Sequence, residues 1–262
     1  MTNTIDQTAP TIRTATTRLS RDEVEQFHRY GYVGPFEAMD PDEMAGIRSR
    51  IETDVLTSTG WNQRNPLQSR HLDQPLVYDL ITRPALLDRI RSLIGDDVVV
   101  WASYFFNKEP GGREIPWHQD ANFWPIEPAL NISVWMAVDE VTTENSCVQL
   151  IPGSHRSVVP HVKADAAMQF GAEADPALID TSQAVNMELR PGQFFIFNER
   201  MLHHSDPNRS DRRRMGLSVR YTPPFVKLLD QDEPPLFPGH ACVVVSGKDD
   251  FQLNRVAPPP TA

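Results

Sequence analysis

Cysteine is nearly absent: Cys147 and Cys242 are the only two in 262 residues. Two thiols cannot build a disulfide framework or a closed four-cysteine metal site. Their scarcity fits a reducing compartment, so a cytoplasmic location is expected. Long apolar runs are missing too, and no stretch approaches the ~18 residues of a membrane-crossing helix, so no membrane partner is expected. Basic residues are in deficit, with 25 Lys and Arg against 35 Asp and Glu and a formal charge of −10. A surface of that sign repels a phosphate backbone, which excludes nucleic acid as the main partner. There is no internal repeat. The first 18 residues are Thr-rich without an apolar stretch, so they read as a disordered arm rather than a secretory signal. Apolar and charged fractions of 40% and 23% are those of an ordinary globular enzyme.

What is present reads as helices first and strands later. Ser20-Arg21-Asp22-Glu23 is a capping box, in which the Ser20 side chain and Glu23 carboxylate each take a backbone N–H. Asp40-Pro41-Asp42-Glu43 opens a second helix, with Met44, Ile47, Ile51 and Val55 as its core-facing stripe. A third runs from about Pro84 to Gly95. Residues 56–80 lack a period and read as a long surface loop. Beyond Gly95 the texture is β-branched and aromatic. Strands are expected at 98–106 and near 115–121, 130–138, 147–151, 185–189, 193–198 and 214–222, punctuated by Pro-Gly turns. This order predicts an α+β protein with a single domain over 19–250. It is helical over 19–95, has a β-sandwich or barrel core over 97–222, and carries a Pro-rich C-terminal segment over 223–250. Residues 251–262 read as a flexible tail.

Three His-x-Asp pairs are present: His71/Asp73, His118/Asp120 and His204/Asp206. On a strand such a pair puts both side chains on one face, because the side-chain period is two. Two imidazoles and a carboxylate on one face of an iron leave positions open for chemistry. Eight His among this many acidic residues give about one such pair by chance, so context decides. His71 lies in the aperiodic loop and reads as solvated. His204 follows His203 directly, and strand neighbours face opposite ways, so only one of them can face a metal. His118 follows a strand, a Pro-Gly-Gly turn and Trp117, then leads into Phe123-Trp124, which makes it the best-placed candidate. His155 and His161 read as loop residues, while His28 and His240 have no supporting context.

Arg214 opens the expected strand 214–222. There Arg214, Gly216, Ser218 and Arg220 share one face, and Met215, Leu217, Val219 and Tyr221 the other. The apolar face suits a core. The polar face suits a cavity for a small acid, since a guanidinium fork grips a carboxylate at two points and a Lys does not. Arg212 and Arg213 read as a solvated basic turn.

Segment 103–111 (SYFFNKEPG) leads to Trp117-His118-Gln119-Asp120, and then to Val134-Trp135-Met136-Ala137. Segments 149–155 (QLIPGSH), 189–192 (LRPG) and 202–208 (LHHSDPN) follow, with Arg214 and Arg220-Tyr221 behind them. In order and spacing these blocks resemble the phytanoyl-CoA dioxygenase family, which includes ectoine hydroxylase and many natural-product tailoring oxygenases. The resemblance covers roughly residues 19–222. It implies a double-stranded β-helix, the jelly-roll shape shared with cupins, with N-terminal helices packed outside. It implies Fe(II) held by His118, Asp120 and His203, with O2 as oxidant. It also implies 2-oxoglutarate as co-substrate, with Arg214 on its distal carboxylate and Ser205 assisting. Asn107 and Trp135 are implied beside the co-substrate, and Trp124 and Phe106 on the substrate side, where plain core packing competes as an account. His204 departs from the family, which commonly has Gly there. Related halogenases have Ala or Gly where Asp120 stands, so the resemblance implies hydroxylation or a related oxidation, with release of succinate and CO2.

Two other readings use the same residues. A cupin shares the sandwich but wants a His where Asp120 stands and gives Arg214 no task. A non-catalytic binding module keeps the pocket and forms no succinate. No motif encodes the substrate, a small organic molecule, free or carrier-bound, of the kind met in secondary metabolism. Its pocket is expected from the 56–80 loop, the 122–130 segment and the residues after Tyr221.

Overall fold

Both capping motifs start helices. In α1 (Arg21–Tyr30) the Ser20 hydroxyl accepts from the Glu23 N–H, and the Glu23 carboxylate takes the Ser20 N–H at 2.6 Å. Gly31 ends the helix in a left-handed conformation (φ 82°) that costs a glycine little. α2 (Pro41–Arg50) runs on through a π-helical turn, Ile51–Val55, which keeps Met44, Ile51 and Val55 buried. α3 (Pro75–Ile81) and α4 (Pro84–Ile94) follow. The structure, a computed structural model, describes residues 17–229 and 237–261, so most of the arm expected at 1–18 lies outside the described residues.

α3 stands inside the stretch expected to be loop. Its buried Leu76, Val77, Leu80 and Ile81 are helically spaced, but the run is too short to announce itself among Asn, Gln and Pro. Fully burying a large apolar side chain contributes roughly 1.5–3 kcal/mol, so this face outweighs the weak intrinsic stability of seven helical residues. The 56–69 loop before it is built around Arg70. That fully buried guanidinium donates to the carbonyls of Val55, Ser58 and Pro66 and to Asp73. Ser69 N–H then donates to Ser103 O (2.7 Å), and Phe105 N–H to Leu67 O (3.1 Å). The loop is thereby stapled to a sheet edge.

The strands are β1 (Tyr32–Glu37), β2 (Val98–Lys108), β3 (Ile115–His118), β4 (Ile126–Glu127), β5 (Ile132–Ala137), β6 (Val148–Leu150), β7 (His161–Lys163), β8 (Ala172–Ala174), β9 (Val185–Met187), β10 (Gln193–Asn198), β11 (His203–Ser205), β12 (Arg214–Thr222), β13 (Lys227–Leu228) and β14 (Val243–Ser246). A six-stranded antiparallel sheet, ordered β1-β10-β5-β12-β2-β14, packs on a four-stranded one, β3-β11-β6-β9. This is the jelly-roll core with helices outside. Strand parity sorts the side chains. Val134, Met136, Phe194, Ile196, Met215, Leu217 and Val219 turn to the helices. Trp135, Ala137, Phe195 and Phe197 turn inward and pack on Val148, Leu150 and Met187. Tyr221 ties the layers by donating to Ile81 O at 2.7 Å.

Part of the expected tail is bonded to the body. Asn254 Nδ2 donates to Val226 O (2.7 Å), and Ala257 N–H to Cys242 O (2.8 Å). Backbone groups carry much of this attachment, and composition does not reveal them. Among the described residues, no helix is long and apolar enough to cross a membrane.

Candidate metal centre

The centre lies between the sheets, where β3 pairs with β11 and His118 sits directly opposite His203. Strand β3 ends at His118 instead of running to 121, and Asp120 opens a short 3-10 turn, Asp120–Asn122. The intervening Gln119 is still extended (φ −111°, ψ 126°), so alternation survives and Asp120 returns to the face of His118. Gln119 points the other way and locks the turn. Its Nε2 donates to Ser157 O and Arg200 O, and its Oε1 accepts from Val159 N–H.

The result is a compact donor set. Asp120 Oδ1 lies 3.6 Å from His118 Nε2 and 3.8 Å from His203 Nε2, and one ligand atom from each residue falls within 4.8 Å of the others. Each imidazole uses Nδ1 on a backbone carbonyl two residues earlier: His118 on Pro116 O (2.8 Å), His203 on Met201 O (2.9 Å). A donating Nδ1–H leaves Nε2 with its lone pair toward the cluster, the tautomer a metal requires. Burial, then the neighbouring His118, pulls His203 down to about 3, so it is neutral. Burial pushes the Asp120 carboxyl up, but Arg220, His203 and His118 together outweigh that and hold it at about 2. Arg220 Nη2 lies 3.4 Å from Asp120 Oδ2. Oδ1 is left to face the two imidazoles.

His204 is turned to other partners. Its ring stacks on Trp117 (4.9 Å) and its nitrogens contact Gln149 Oε1 (3.2 Å) and Glu114 Oε1 (3.0 Å). His71 is not solvated, as the loop reading expects, but fully buried, with Nδ1 against Ser103 Oγ at 2.8 Å. Burial, then His240, drives it to about 3. The reason is the unforeseen fold of the loop onto β2.

A cavity of about 840 Å³ opens from the cluster. Deep in it Arg214 is buried, its Nε donating to Ser146 O (3.0 Å), its Nη2 3.4 Å from Ser205 Oγ, and its guanidinium 5.3 Å from the Trp135 ring centre. Lys108, which sequence reasoning missed, sits across the ladder from Arg214 and donates to the Ser146 and Ser205 hydroxyls at 2.8 Å each. Burial, then the Arg214 charge, lowers its amine to about 7. Lys108 and Arg214 line this part of the cavity with the Ser205 hydroxyl, and two cations beside a hydroxyl are chemistry that can bind a carboxylate.

Asn107 borders the cavity, yet parity sets its side chain with Met215 and away from Arg214; it is exposed and donates to Glu109. The inward position is Lys108, and the alternation of β2 held that signal. Phe106 and Trp124 both line the cavity. Trp124 also packs edge-on to Trp101 (5.1 Å) and lies over Arg220 (4.8 Å). Of the three segments expected to wall the pocket, 56–80 contributes Asn65, Leu67 and Gln68, and 122–130 contributes Phe123 and Trp124. Among the described residues after Tyr221 none lines it, and Gln169–Gly171 takes that place, with Phe170 5.0 Å from His118.

Gly216 faces Trp135 so closely that a Cβ there would stand inside the indole. Gly216→Ala is therefore expected to lower stability by about 1–3 kcal/mol through overpacking. Urea denaturation reads this, with Gly46→Ala on α2, where a Cβ meets nothing within 4 Å, as the control.

The family model for Phytanoyl-CoA dioxygenase matches residues 27–216. The chain is 36% identical over 143 residues to "Dioxygenase lolE1" of Epichloe uncinata, covering 55% of this chain and 53% of that protein. It is 26% identical over 160 residues to a "Probable phytanoyl-CoA dioxygenase" of Caenorhabditis elegans, covering 57% and 51%. The chain thus spans about half the length of these curated relatives. Among solved structures it resembles "CytC3 with Fe(II) and alpha-ketoglutarate", at 29% identity and a TM-score of 0.73, over 93% of this chain and 95% of that one.

Proposed function

The chain belongs to the phytanoyl-CoA dioxygenase family, and from that premise we propose that it is an Fe(II)- and 2-oxoglutarate-dependent oxygenase acting on a C–H bond of a small organic molecule. The observation that carries this is the buried His118, Asp120 and His203 cluster sharing one cavity with Arg214 and Lys108. The residues fit the ion: two imidazoles fixed through Nδ1 and one ionised carboxylate are an N/O set suited to Fe(II). When bound with 2-oxoglutarate and O2, the iron supplies the oxidation itself. The chain's own residues bind, orient and shield. Arg214 and Lys108, with Ser205 between them, take the distal carboxylate, and Trp135 covers the guanidinium. Arg220 holds Asp120 by its outer oxygen. Phe123 and Phe170 shield the His118 side from water.

Asp120 fills the place that halogenases related to the family leave to Ala or Gly, which favours hydroxylation or a related oxidation over halogenation. The test is anaerobic addition of 2-oxoglutarate to the Fe(II) protein, read as a visible charge-transfer band, followed by O2-dependent release of succinate. A cupin gives no band, and a binding module gives no succinate.

Lys108 adds a pH signature. A carboxylate arriving beside an amine near 7 favours the charged form, so binding takes up a proton wherever the free site is neutral. The expected affinity for 2-oxoglutarate is level below about pH 7 and falls by up to tenfold per pH unit above it. Anaerobic calorimetry across that range checks this, and Lys108→Met should bind more weakly without that slope.

A further inference from the structure

The cavity changes character away from the metal. Near the cluster each charge has a task. Lys108 and Arg214 flank Ser205, and Asp120 meets the imidazoles. The Arg220 fork is used as well: Nη1 is on the Ser218 hydroxyl, Nη2 on Asp120, and Trp124 covers its face. Beyond them the lining is aromatic. Tyr104 and Phe106 stand side by side on β2 (4.6 Å), and Phe123, Trp124 and Phe170 are partly open to the same space, Phe123 by 42%. Asn65 and Gln68 add polar groups without charge. At the rim Glu109 and Arg113 are exposed and already bonded to Asn107 and to Met168 O.

On the reading of the site as an oxygenase centre, we propose that the substrate is a free, uncharged, ring-bearing small molecule held against these aromatic side chains. Rings gain from stacking and edge contacts there. A carboxylate in the same place loses water, and the one further cation lining the cavity, Arg113, is solvent-exposed, where an ion pair gains little. A phosphate-rich handle, such as coenzyme A or a carrier-linked arm, needs a basic cluster, and the cavity lining adds only one exposed Arg and one exposed Glu on a chain of charge −10. The cavity lies within the roughly 300–1,000 Å³ range of small-molecule sites, with space for several rings beside the co-substrate.

The experiment uses the full chain loaded with Fe(II) and 2-oxoglutarate without O2, titrated calorimetrically with 2-naphthol, 2-naphthoate and 2-naphthoyl-coenzyme A. The neutral probe should bind, the carboxylate at least tenfold more weakly, and the thioester more weakly than the neutral probe. Phe106→Ala and Phe170→Ala should each weaken 2-naphthol about fivefold, with 2-oxoglutarate affinity measured on the same samples as the check on folding. Naphthoate or the thioester binding as tightly as naphthol overturns the proposal, and so does absence of naphthol binding in protein that binds 2-oxoglutarate. Failure of the unaltered chain to bind 2-oxoglutarate overturns the oxygenase reading, and this inference with it.

Discussion

His203→Ala is expected to hold no stoichiometric iron after anaerobic reconstitution, while His204→Ala keeps a full equivalent. The two residues are adjacent, so the contrast tests strand geometry as well as chemistry. His203 pairs across the ladder with His118 and brings Nε2 to 3.8 Å from Asp120 Oδ1. Its removal breaks a three-donor set, and the affinity loss should exceed the roughly 10–100-fold typical of losing an outer-shell partner. His204 spends its nitrogens on Gln149 and Glu114 and its ring on Trp117. Cutting it back costs stability, about 1–3 kcal/mol for partners left unsatisfied, but not the ion. Metal analysis with a thermal melt separates the effects. Iron lost from His204→Ala and kept by His203→Ala would reverse the assignment within the pair. Asp120→Ala belongs to the same test: its fold should survive while substrate oxidation is abolished.

Arg214→Ala should weaken anaerobic 2-oxoglutarate binding by about 30-fold to several-thousand-fold. Loss of a buried, hydrogen-bonded charge partner costs roughly 2–5 kcal/mol, which converts to that range. Arg214→Lys should recover part of it, since an ammonium restores charge but not the two-point grip. Lys108 remains in either variant and sets a floor. The basic neighbours make unequal controls. Arg212 is exposed and paired with Glu140 in solvent, so Arg212→Ala should leave the affinity alone. Arg213 is not the solvated residue that the basic turn suggests. Its fork holds Asp139 and Glu52, and Asp139 also takes the Met215 N–H. Arg213→Ala should therefore lower stability rather than affinity. Equal losses of affinity for Arg212→Ala and Arg214→Ala would put the co-substrate itself in doubt.

The sequence by itself determined what depends on neighbours in the chain. Ser20 with Glu23, and Asp40 with Pro41, start helices because capping is satisfied within four residues. The two faces of β12 follow from a period of two, which is why Arg214 could be separated from Arg212 and Arg213 before any fold was known. The same rule allowed only one of His203 and His204 to face a metal, and the order of blocks around His118 carried the family resemblance that pointed to His203. Tertiary structure decided the rest. It set the register that puts His203 opposite His118, and it folded the 56–69 loop around Arg70 so that His71 became buried. It also turned Lys108 inward across from Arg214, and set Phe170 edge-on to the His118 imidazole from a segment with no periodic signal. Periodicity says which residues share a face. Which face ends up against a cavity depends on pairing energies between strands distant in the chain, and no local pattern contains those.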